Sequence, residues 1–295
     1  MRARYAVLVA SLALVAACSA GTQQAAPTST SPAPSVTSAT PTPTPTPTPT
    51  RKPTPTPKAT PSPKASPTAV RPSSSLKGDT RNAWAFAPLS NPSAVVVEGS
   101  VPSSKAYSTS KVLIVAAFLD TVVDGDPKRL STAQRSLITR ALTASDGDAV
   151  LQLQYAIPGG PAAAGTRILR GIGDRQTVVP NSRLGGMQWS VREQVRFMAA
   201  LGNGTVVSPA ASAHVLSQMQ PITPHRWGLG TIGASAIKGG WLRADTETRQ
   251  MGIYRGYAVA IITAHVGPAV LQTDGDSAHV AQMNTLAARL KARLG

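Results

Sequence analysis

The sequence predicts an α+β fold, in which one antiparallel sheet is flanked by helices and a separate helical lobe lies beside it. Two observations lead to this prediction. Two strand-like segments precede a long run of helical segments, and three further strand-like segments precede a final amphipathic helix. Sheets and helices must bury their apolar faces against one another, so the first strands and the last helix are expected to return to the same sheet. The helical run then forms the lobe, with a cleft at the junction.

The chain begins with features of an exported protein. Arg2 and Arg4 precede an apolar stretch that is too short to span a bilayer, so residues 1–17 are predicted to be a signal peptide. The stretch ends in Val-Ala-Ala followed by Cys18, the single cysteine of the chain. This pattern resembles a bacterial lipobox and implies lipidation of Cys18. The alternative is an ordinary signal peptide with a chance cysteine.

Residues 18–75 have the composition of an extended linker. They are mainly Thr, Pro, Ser and Ala, with strict Pro-Thr alternation over residues 41–50. Such a segment has no apolar face to bury, so a disordered, polyproline II-like chain is predicted. At ~3.1 Å per residue it reaches on the order of 150 Å from a membrane. The expected localisation is the outer face of the cytoplasmic membrane, with the folded part in the cell wall.

The folded region, residues 76–295, is strongly basic. It holds all 13 acidic residues and 22 of the 29 basic ones, so its net charge is about +9. No basic residues cluster with aromatic ones, and nucleic acid is therefore not an expected partner. For an exported chain, the expected partners are anionic lipid headgroups and wall polymers, including peptidoglycan or wall-derived peptides.

The N-terminal elements follow from residue periodicity and turn signals. Residues 83–89 and 94–98 are predicted to be strands, separated by the turn sequence Ser-Asn-Pro at 90–92. A long helix is predicted from about Ser108, because apolar residues then recur at helical spacing until Asp-Gly-Asp-Pro at 124–127.

The middle of the folded region is predicted to be mostly helical. Ser190 is the expected N-cap of one helix, with Glu193 at the capping-box position. Residues 159–187 are rich in Gly, Pro and Ala and are predicted to be loops around a short helix. The helices predicted here cover residues 131–144, 148–155 and 190–201, and one more opens at Ser208-Pro209.

The last part of the chain changes from the helical period to the strand period. Residues 236–242, 249–255 and 257–265 are predicted to be three antiparallel strands, the last two joined at Gly256. Residues 277–294 are predicted to be an amphipathic helix that closes the domain.

Ser108 and Lys111 form the first pair of residues with catalytic potential. At a spacing of three near a helix start, they lie on one face, a single turn apart. A serine hydroxyl becomes an effective nucleophile when a base removes its proton. A lysine serves as that base when burial or a nearby cation lowers its pKa, and Lys238 is the expected cation. The spacing alone is a weak signal, since Ser235 and Lys238 repeat it.

Two further motifs follow this pair in a fixed order. They are Ser145-Asp146-Gly147 and Lys238-Gly239-Gly240. Together with Ser-Thr-Ser-Lys at 108–111, they resemble the S-x-x-K, S-D-N and K-T-G motifs of the class A β-lactamases and penicillin-binding proteins. The likeness extends over residues 76–295 and implies a β-lactamase/transpeptidase-like fold for this serine hydrolase domain.

The resemblance implies a role for each catalytic side chain. Ser108 would be the acylated nucleophile and Lys111 its proton acceptor. Ser145 would relay a proton to the leaving nitrogen. Lys238 would offer positive charge to a substrate carboxylate and lower the pKa of Lys111.

The resemblance also implies roles for the backbone around these side chains. The amides of Ser108 and Trp241 would form an oxyanion hole, a contribution of ~3–4 kcal/mol per donor. Gly240 would let the strand backbone approach the substrate. Asp146 would be a buried structural acceptor.

The motifs depart from the family pattern at three places. Gly147 replaces the asparagine whose amide holds substrate and lysine. Gly239 replaces the threonine whose hydroxyl helps to bind the substrate carboxylate. Class A enzymes place the glutamate that activates the deacylating water in the segment that corresponds to residues 174–190, which has no glutamate here. The three glutamates of the chain are Glu98, Glu193 and Glu247.

The remaining signals predict neither a cofactor nor a metal site. Residues 228–233 have G-x-G-x-x-G spacing, but they precede a predicted strand, so no dinucleotide is expected. The four histidines show no metal-ligand spacing, and surface or edge positions are predicted for them. Trp189, Trp227 and Trp241 could line a sugar-binding cleft, although core packing is the preferred interpretation.

Two functional hypotheses result. The first is an exported, lipid-anchored serine hydrolase that acts on peptidoglycan-type peptides, or a related amide or ester, with poor or no β-lactamase turnover. Retention of Ser108, Lys111, Ser145 and Lys238 favours it. The second is a catalytically degenerate lipoprotein of the same fold that binds wall peptides or a partner protein. The two glycine replacements and the missing glutamate favour this alternative.

Overall fold

The computed structural model describes residues 74–242, 246–266 and 278–295 of the 295-residue chain. The predicted signal peptide, Cys18 and the linker up to residue 73 lie outside the described residues, so the statements about them stay predictions. Ser277, predicted to begin the last helix, also lies outside them.

A single five-stranded antiparallel sheet organises the described residues, with the order β2-β1-β5-β4-β3. Strand β1 pairs with β5 over its whole length, from Asn82 opposite Thr263 to Pro88 opposite Tyr257. The two ends of the folded region therefore share one sheet, which confirms the predicted α+β architecture. The strands are β1 (Asn82–Pro88), β2 (Val96–Gly99), β3 (Ala236–Trp241), β4 (Thr248–Tyr254) and β5 (Tyr257–Thr263).

The connection between β4 and β5 is a two-residue hairpin. Arg255 has a φ of +46° and Gly256 a φ of +78°. Positive φ values at both central residues are typical of the type I′ turn, whose twist matches that of the flanking strands. The junction predicted at Gly256 is therefore correct.

Seven α-helices lie within the described ranges, at the predicted places in the chain. No helix among these residues is long and apolar enough to cross a membrane. The helices are α1 (Ser110–Val122), α2 (Thr132–Thr143), α3 (Gly147–Ala156), α4 (Pro161–Gly171), α5 (Val191–Gly202), α6 (Pro209–Gln218) and α7 (Ala278–Leu294).

The helix caps differ in one detail from the prediction. The Ser190 hydroxyl accepts the Glu193 amide, as expected, but the Glu193 carboxylate pairs with Arg196 instead of completing a capping box. A complete capping box occurs at α2, where Ser131 and Gln134 each bond the other's backbone amide.

The sheet is covered by helices on both faces, and the residue pattern of β1 shows why. Its alanines at positions 83, 85 and 87 belong to one apolar cluster with α1 and α5, whereas Trp84 and Phe86 belong to a second cluster with α7. Side chains alternate between the faces of a strand, so the small residues let the large helical layer approach closely. Helix α1 is buried from Ser110 to Leu119, at the centre of that layer.

Candidate active site

Ser108 lies in the middle of a single 3-10 turn that leads into α1. The turn is held from two sides. The Tyr107 hydroxyl donates to Glu247 Oε2 at 3.1 Å, and Gln194 Nε2 donates to Thr109 Oγ1 at 2.7 Å, both in buried surroundings. These bonds fix the backbone on either side of Ser108 and leave its own side chain partly exposed.

The four predicted catalytic side chains meet at one place. Lys111 Nζ donates to Ser108 Oγ at 2.8 Å and to the Ser145 carbonyl at 2.9 Å, and it lies 3.5 Å from Ser145 Oγ. Lys238 Nζ donates to Ser145 Oγ at 2.8 Å and to the Gly239 carbonyl at 3.0 Å. A continuous chain of polar contacts therefore runs from Ser108 through Lys111 and Ser145 to Lys238.

Ser145 is presented by the short connection between α2 and α3. Its φ of +60° lies in the left-handed region, which is costly for a residue with a side chain. The following residue, Asp146, caps α3 by accepting the Ala149 amide at 2.9 Å and is bonded by Arg140 Nε at 2.8 Å. The cap and the ion pair hold the connection in this conformation.

Asp146 differs in one respect from the sequence-based expectation. It is a structural acceptor, as its contacts show, but it is not buried, because 24% of its side chain is exposed. Its negative charge also acts on the site, since it raises the pKa of Lys111 and so partly opposes the effect of burial.

Both lysines are buried, and burial is the main cause of their pKa shifts. Burial lowers the pKa of Lys111 to about 8. Lys238 is 3% exposed, and burial together with the charge of Lys111 holds its pKa well below the ordinary value. Because repulsion between two charged amines is mutual, Lys238 is still expected to contribute to the lowered pKa of Lys111, as the sequence predicts. Near neutral pH, Lys111 exchanges readily between its charged and neutral forms.

The edge of strand β3 lies against the 3-10 turn that carries Ser108. A Cβ added to Gly240 would lie 3.0 Å from the backbone nitrogen of Ser108, so only glycine allows this approach. The Ile237 amide donates to the Met219 carbonyl, outside the sheet, at 2.8 Å. Because amide directions alternate along a strand, the Trp241 amide also points away from β4. This arrangement fits the predicted oxyanion hole, whose role stays a prediction.

Aromatic rings occupy the space beside Gly239. A Cβ added there would lie 3.3–3.4 Å from the rings of Trp227 and Trp241, so a threonine would fit only if a ring shifted by a few tenths of an ångström. The Trp241 ring packs edge-on against Trp227 at 5.5 Å and against His225 at 5.1 Å. The His225 ring also bonds the Thr143 carbonyl, and burial with the nearby lysines lowers the pKa of His225 to about 4.

His225 is a residue of the site that the sequence analysis missed. No local spacing links it to the three motifs, because it reaches the site through the fold. The surface position predicted for the histidines is also wrong for His279, which is buried against Thr248. The core position predicted for Trp189 is confirmed, because its side chain is fully buried against Phe197.

A cavity of about 500 Å³ opens on the helical-lobe side of Ser108. A Cβ added to Gly147 would meet no atom within 4 Å, so the residue that replaces the family's asparagine leaves open space at the cavity. Among the lining residues that the structure describes there is no aspartate or glutamate. The lining consists of Lys105, Tyr107, Ser108, Ser110, Lys111, Ile114, Gly147, Val150, Leu151, Gln154, residues 183–186, Trp241 and Leu242.

The segment 174–190 supplies part of this lining but no general base. Arg183 and Leu184 lie at the cavity. The segment's one carboxylate, Asp174, is fully buried and accepts the backbone amides of Gln176 and Thr177. Asp174 therefore stabilises the loop and does not face Ser108.

Solved structures with the same architecture identify the fold. The chain superposes on a β-lactamase from Chitinophaga pinensis with a TM-score of 0.57 and 15% identity, over 73% of this chain and 94% of that one. The fold is that of a class A β-lactamase. Another β-lactamase, chromosome-encoded in Vibrio parahaemolyticus, gives a TM-score of 0.56 at 16% identity, over 72% and 93% of the two chains.

The same β-lactamase-like fold occurs in PBP-A, with a TM-score of 0.54 and 21% identity over 72% of this chain and 89% of that one. Identities this low establish the fold and leave the activity to the site itself. Neither the protein-family models nor the curated proteins gave a match.

Proposed function

We propose that this chain is an exported, lipid-anchored serine hydrolase that cleaves peptidoglycan-type peptides, or a related amide or ester, through an acyl-serine. One observation carries the proposal. Lys111 Nζ lies 2.8 Å from Ser108 Oγ, and burial lowers the pKa of this amine to about 8. A base in hydrogen-bond reach of a serine hydroxyl, with a pKa near the working pH, is what nucleophilic catalysis by serine requires.

The site supplies a path for each proton. Neutral Lys111 takes the Ser108 proton as Oγ forms a bond to the carbonyl carbon, and the amides of Ser108 and Trp241 bind the negative oxygen. Ser145 Oγ contacts both lysines, so the proton passes from Lys111 through Ser145 to the leaving nitrogen or oxygen as that bond breaks. Water or another acceptor then attacks the acyl-serine by the reverse path.

Deacylation of a β-lactam adduct is expected to be slow. The cavity beside Ser108 has no carboxylate among its described lining residues, so a deacylating water finds no counterpart of the class A glutamate there and depends on Lys111 and Ser145. An acyl-enzyme formed with a β-lactam should therefore persist, and β-lactamase turnover should be poor or absent.

The location belongs to the same proposal. A lipidated Cys18 would anchor the chain to the outer face of the cytoplasmic membrane, and residues 18–75 would let the catalytic domain reach wall peptides. The net charge of about +9 on residues 76–295 supports attraction to the anionic envelope.

One set of observations favours the alternative, a degenerate wall-peptide or protein-binding lipoprotein. Gly147 offers no side chain to hold a substrate amide, and Gly239 offers no hydroxyl to bind a substrate carboxylate. Such a protein would retain the fold and the cleft without acylating Ser108.

The experiment that separates the two is covalent labelling of the full chain. A fluorophosphonate and a reporter penicillin are each incubated with the protein, and the labelled peptide is identified by mass spectrometry. Ser108→Ala is the test variant. Ser235→Ala is the matched control, because Ser235 is exposed and has the same spacing to Lys238 as Ser108 has to Lys111.

A single phosphonate adduct on Ser108, lost in Ser108→Ala and retained in Ser235→Ala, supports the hydrolase. A lasting penicillin adduct at the same residue supports slow deacylation, and rapid penicillin turnover contradicts it. Labelling of Ser108 no faster than that of exposed serines favours the binding protein.

A further inference from the structure

We propose that the substrate of this site is an ester or amide of an apolar acyl group, without a carboxylate beside the scissile bond on the β3 side. The assignment rests on the proposed function and narrows its substrate class to the related amide or ester. Two features on opposite sides of Ser108 support it: an apolar cavity on the helical-lobe side and, on the strand side, a buried Lys238 whose amine is already bonded.

The cavity fits an apolar acyl arm. Ile114, Val150 and Leu184 are the buried aliphatic residues of its lining, and its volume of about 500 Å³ is in the ~300–1,000 Å³ range of small-molecule sites. Leu151 and Leu242, which are 44% and 54% exposed, also lie at the cavity. An aliphatic chain in this space would remove these side chains from water along with its own methylenes.

The charges of the cavity exclude a cationic arm. Lys105, Lys111 and Arg183 line it, and no carboxylate is present among its described residues. A substrate ammonium group would lose its hydration there, would find no counter-ion and would face like charges. The acyl arm is therefore not cationic, and the aliphatic lining favours an apolar one.

Among the residues that the structure describes on the strand side, Lys238 is not free to bind a carboxylate. Lys238 is 3% exposed, and its amine is directed to Ser145 Oγ and the Gly239 carbonyl. The Trp241 ring packs between Trp227 and His225, next to the backbone of Gly239. A carboxylate would reach the buried amine only after the Ser145 contact had moved, so a substrate gains little by carrying one there.

The expected reaction places the acyl arm in the cavity and the leaving group along β3. Ser108 Oγ bonds to the carbonyl carbon while the carbon–oxygen or carbon–nitrogen bond to the leaving group breaks. The Ser108 proton passes to Lys111 and then to the departing oxygen or nitrogen. Water completes the reaction by hydrolysing the acyl-serine.

The test uses 4-nitrophenyl esters of acetate, butanoate, hexanoate, octanoate and 6-aminohexanoate with the full chain carrying Cys18→Ser. Release of nitrophenolate is measured, and the rate of Ser108→Ala is subtracted. Burial of a methylene corresponds to about a fourfold gain. The second-order rate constant should rise at least tenfold from butanoate to octanoate, and 6-aminohexanoate should react at least tenfold more slowly than hexanoate.

Two variants of α3 test whether the dependence of the rate on acyl-chain length arises in the cavity. Gly147→Leu fills the cavity from a position where an added Cβ meets no atom within 4 Å, so the chain should fold and the octanoate-to-acetate ratio should collapse. Tyr155→Ser is the matched control, because Tyr155 is exposed on the same helix and does not line the cavity. An unchanged ratio in Gly147→Leu would contradict the assignment.

A carboxylated leaving group tests the strand side. The 3-carboxy-4-nitrophenyl ester of octanoate should react no faster than the plain 4-nitrophenyl ester. A rate more than tenfold higher would overturn this half of the proposal.

The two proposals fail in different ways. If acetate acylates Ser108 but the rate does not rise with chain length, the substrate class is wrong and the hydrolase stands. If no ester acylates Ser108, the hydrolase is wrong, and the cavity is judged by the binding of octanamide and butanamide to Ser108→Ala. Affinity at least tenfold higher for octanamide supports the apolar arm, and equal affinities contradict it.

Discussion

At the scale of single residues, the proposed function requires that the protonation state of Lys111 set the reactivity of Ser108. Only the neutral amine accepts the hydroxyl proton, and burial lowers its pKa to about 8. The rate of Ser108 labelling by a fluorophosphonate should therefore rise from pH 6 to pH 9.5, with its midpoint near pH 8. Labelling rates across this range measure the effect, and a pH-independent rate would show that Lys111 is not the base.

The buried amine of Lys111 also reduces the stability of the fold. Its pKa is about 8 in the folded chain and near its ordinary value of 10.5 in the unfolded chain, so the unfolded state binds more protons between these values. Stability should rise with pH in this window. Lys111→Met should raise the free energy of unfolding by about 1–3 kcal/mol at pH 7.

Urea unfolding of the two proteins at pH 7 and at pH 10.5 measures this difference. It should shrink at the higher pH, where the amine is neutral in the folded state and only half protonated in the unfolded state. A destabilised Lys111→Met variant at pH 7 would mean that the hydrogen bonds of the amine outweigh its burial cost.

At the scale of elements, the contact between β3 and the 3-10 turn that carries Ser108 depends on Gly240. An added Cβ would lie 2.9 Å from the Ala106 carbonyl oxygen and 3.0 Å from Ser108 nitrogen. Gly240→Ala should therefore cost about 1–3 kcal/mol and reduce labelling of Ser108, because the strand must move from the turn. Gly147→Ala is the matched control, with no atom near the added group.

Thermal unfolding and phosphonate labelling of both variants test this packing. Equal stability of Gly240→Ala and Gly147→Ala would show that the turn adjusts freely, contrary to the account of Ser108 as a rigidly placed nucleophile.

Arg249 of β4 holds the segments that flank the site. Its Nη1 donates to the carbonyls of Ser104, Lys105 and Trp189 at 2.8–2.9 Å, and the residue is fully buried. Arg249→Leu should lower the free energy of unfolding by about 2–4 kcal/mol, because three carbonyls lose their donor. Urea unfolding measures it, and a change below the usual ±0.5 kcal/mol of surface substitutions would contradict this role.

The sequence predicted elements better than contacts, and the reason is physical. Periodicity and turn residues are local, so β1, the start of α1 near Ser108 and the hairpin at Gly256 could be recognised from short segments. The hydrogen bonds from Tyr107 to Glu247 and from Arg249 to backbone carbonyls join residues up to 145 positions apart. No local sequence spacing predicts such bonds.

The candidate site shows the same difference between local features, which the sequence predicts, and long-range contacts, which it does not. Ser108, Lys111, Ser145 and Lys238 could be predicted because three ordered motifs carry them. The aromatic rings beside Gly239 could not be predicted, because their position depends on how His225 and Trp227 pack onto the end of the strand. The pKa of Lys111 likewise depends on burial, which only the fold determines.

At the scale of the whole molecule, the proposed function requires a membrane anchor at Cys18 and a linker over residues 18–75. Cys18→Ala should move the protein from the membrane fraction to the medium, because lipidation needs the thiol. Immunoblots of both fractions measure the distribution. Retention of Cys18→Ala in the membrane fraction, with the leader still attached, would show that the first 17 residues act as the anchor.

The central claim is that Lys111 activates Ser108, and the rate of phosphonate labelling at Ser108 tests it most directly. At pH 8 we expect one adduct per chain, on Ser108, and a rate lower by at least ~100-fold in Lys111→Met, the usual contribution of a general base. Equal labelling rates in the two proteins, or adducts spread over exposed serines such as Ser235, would contradict the claim.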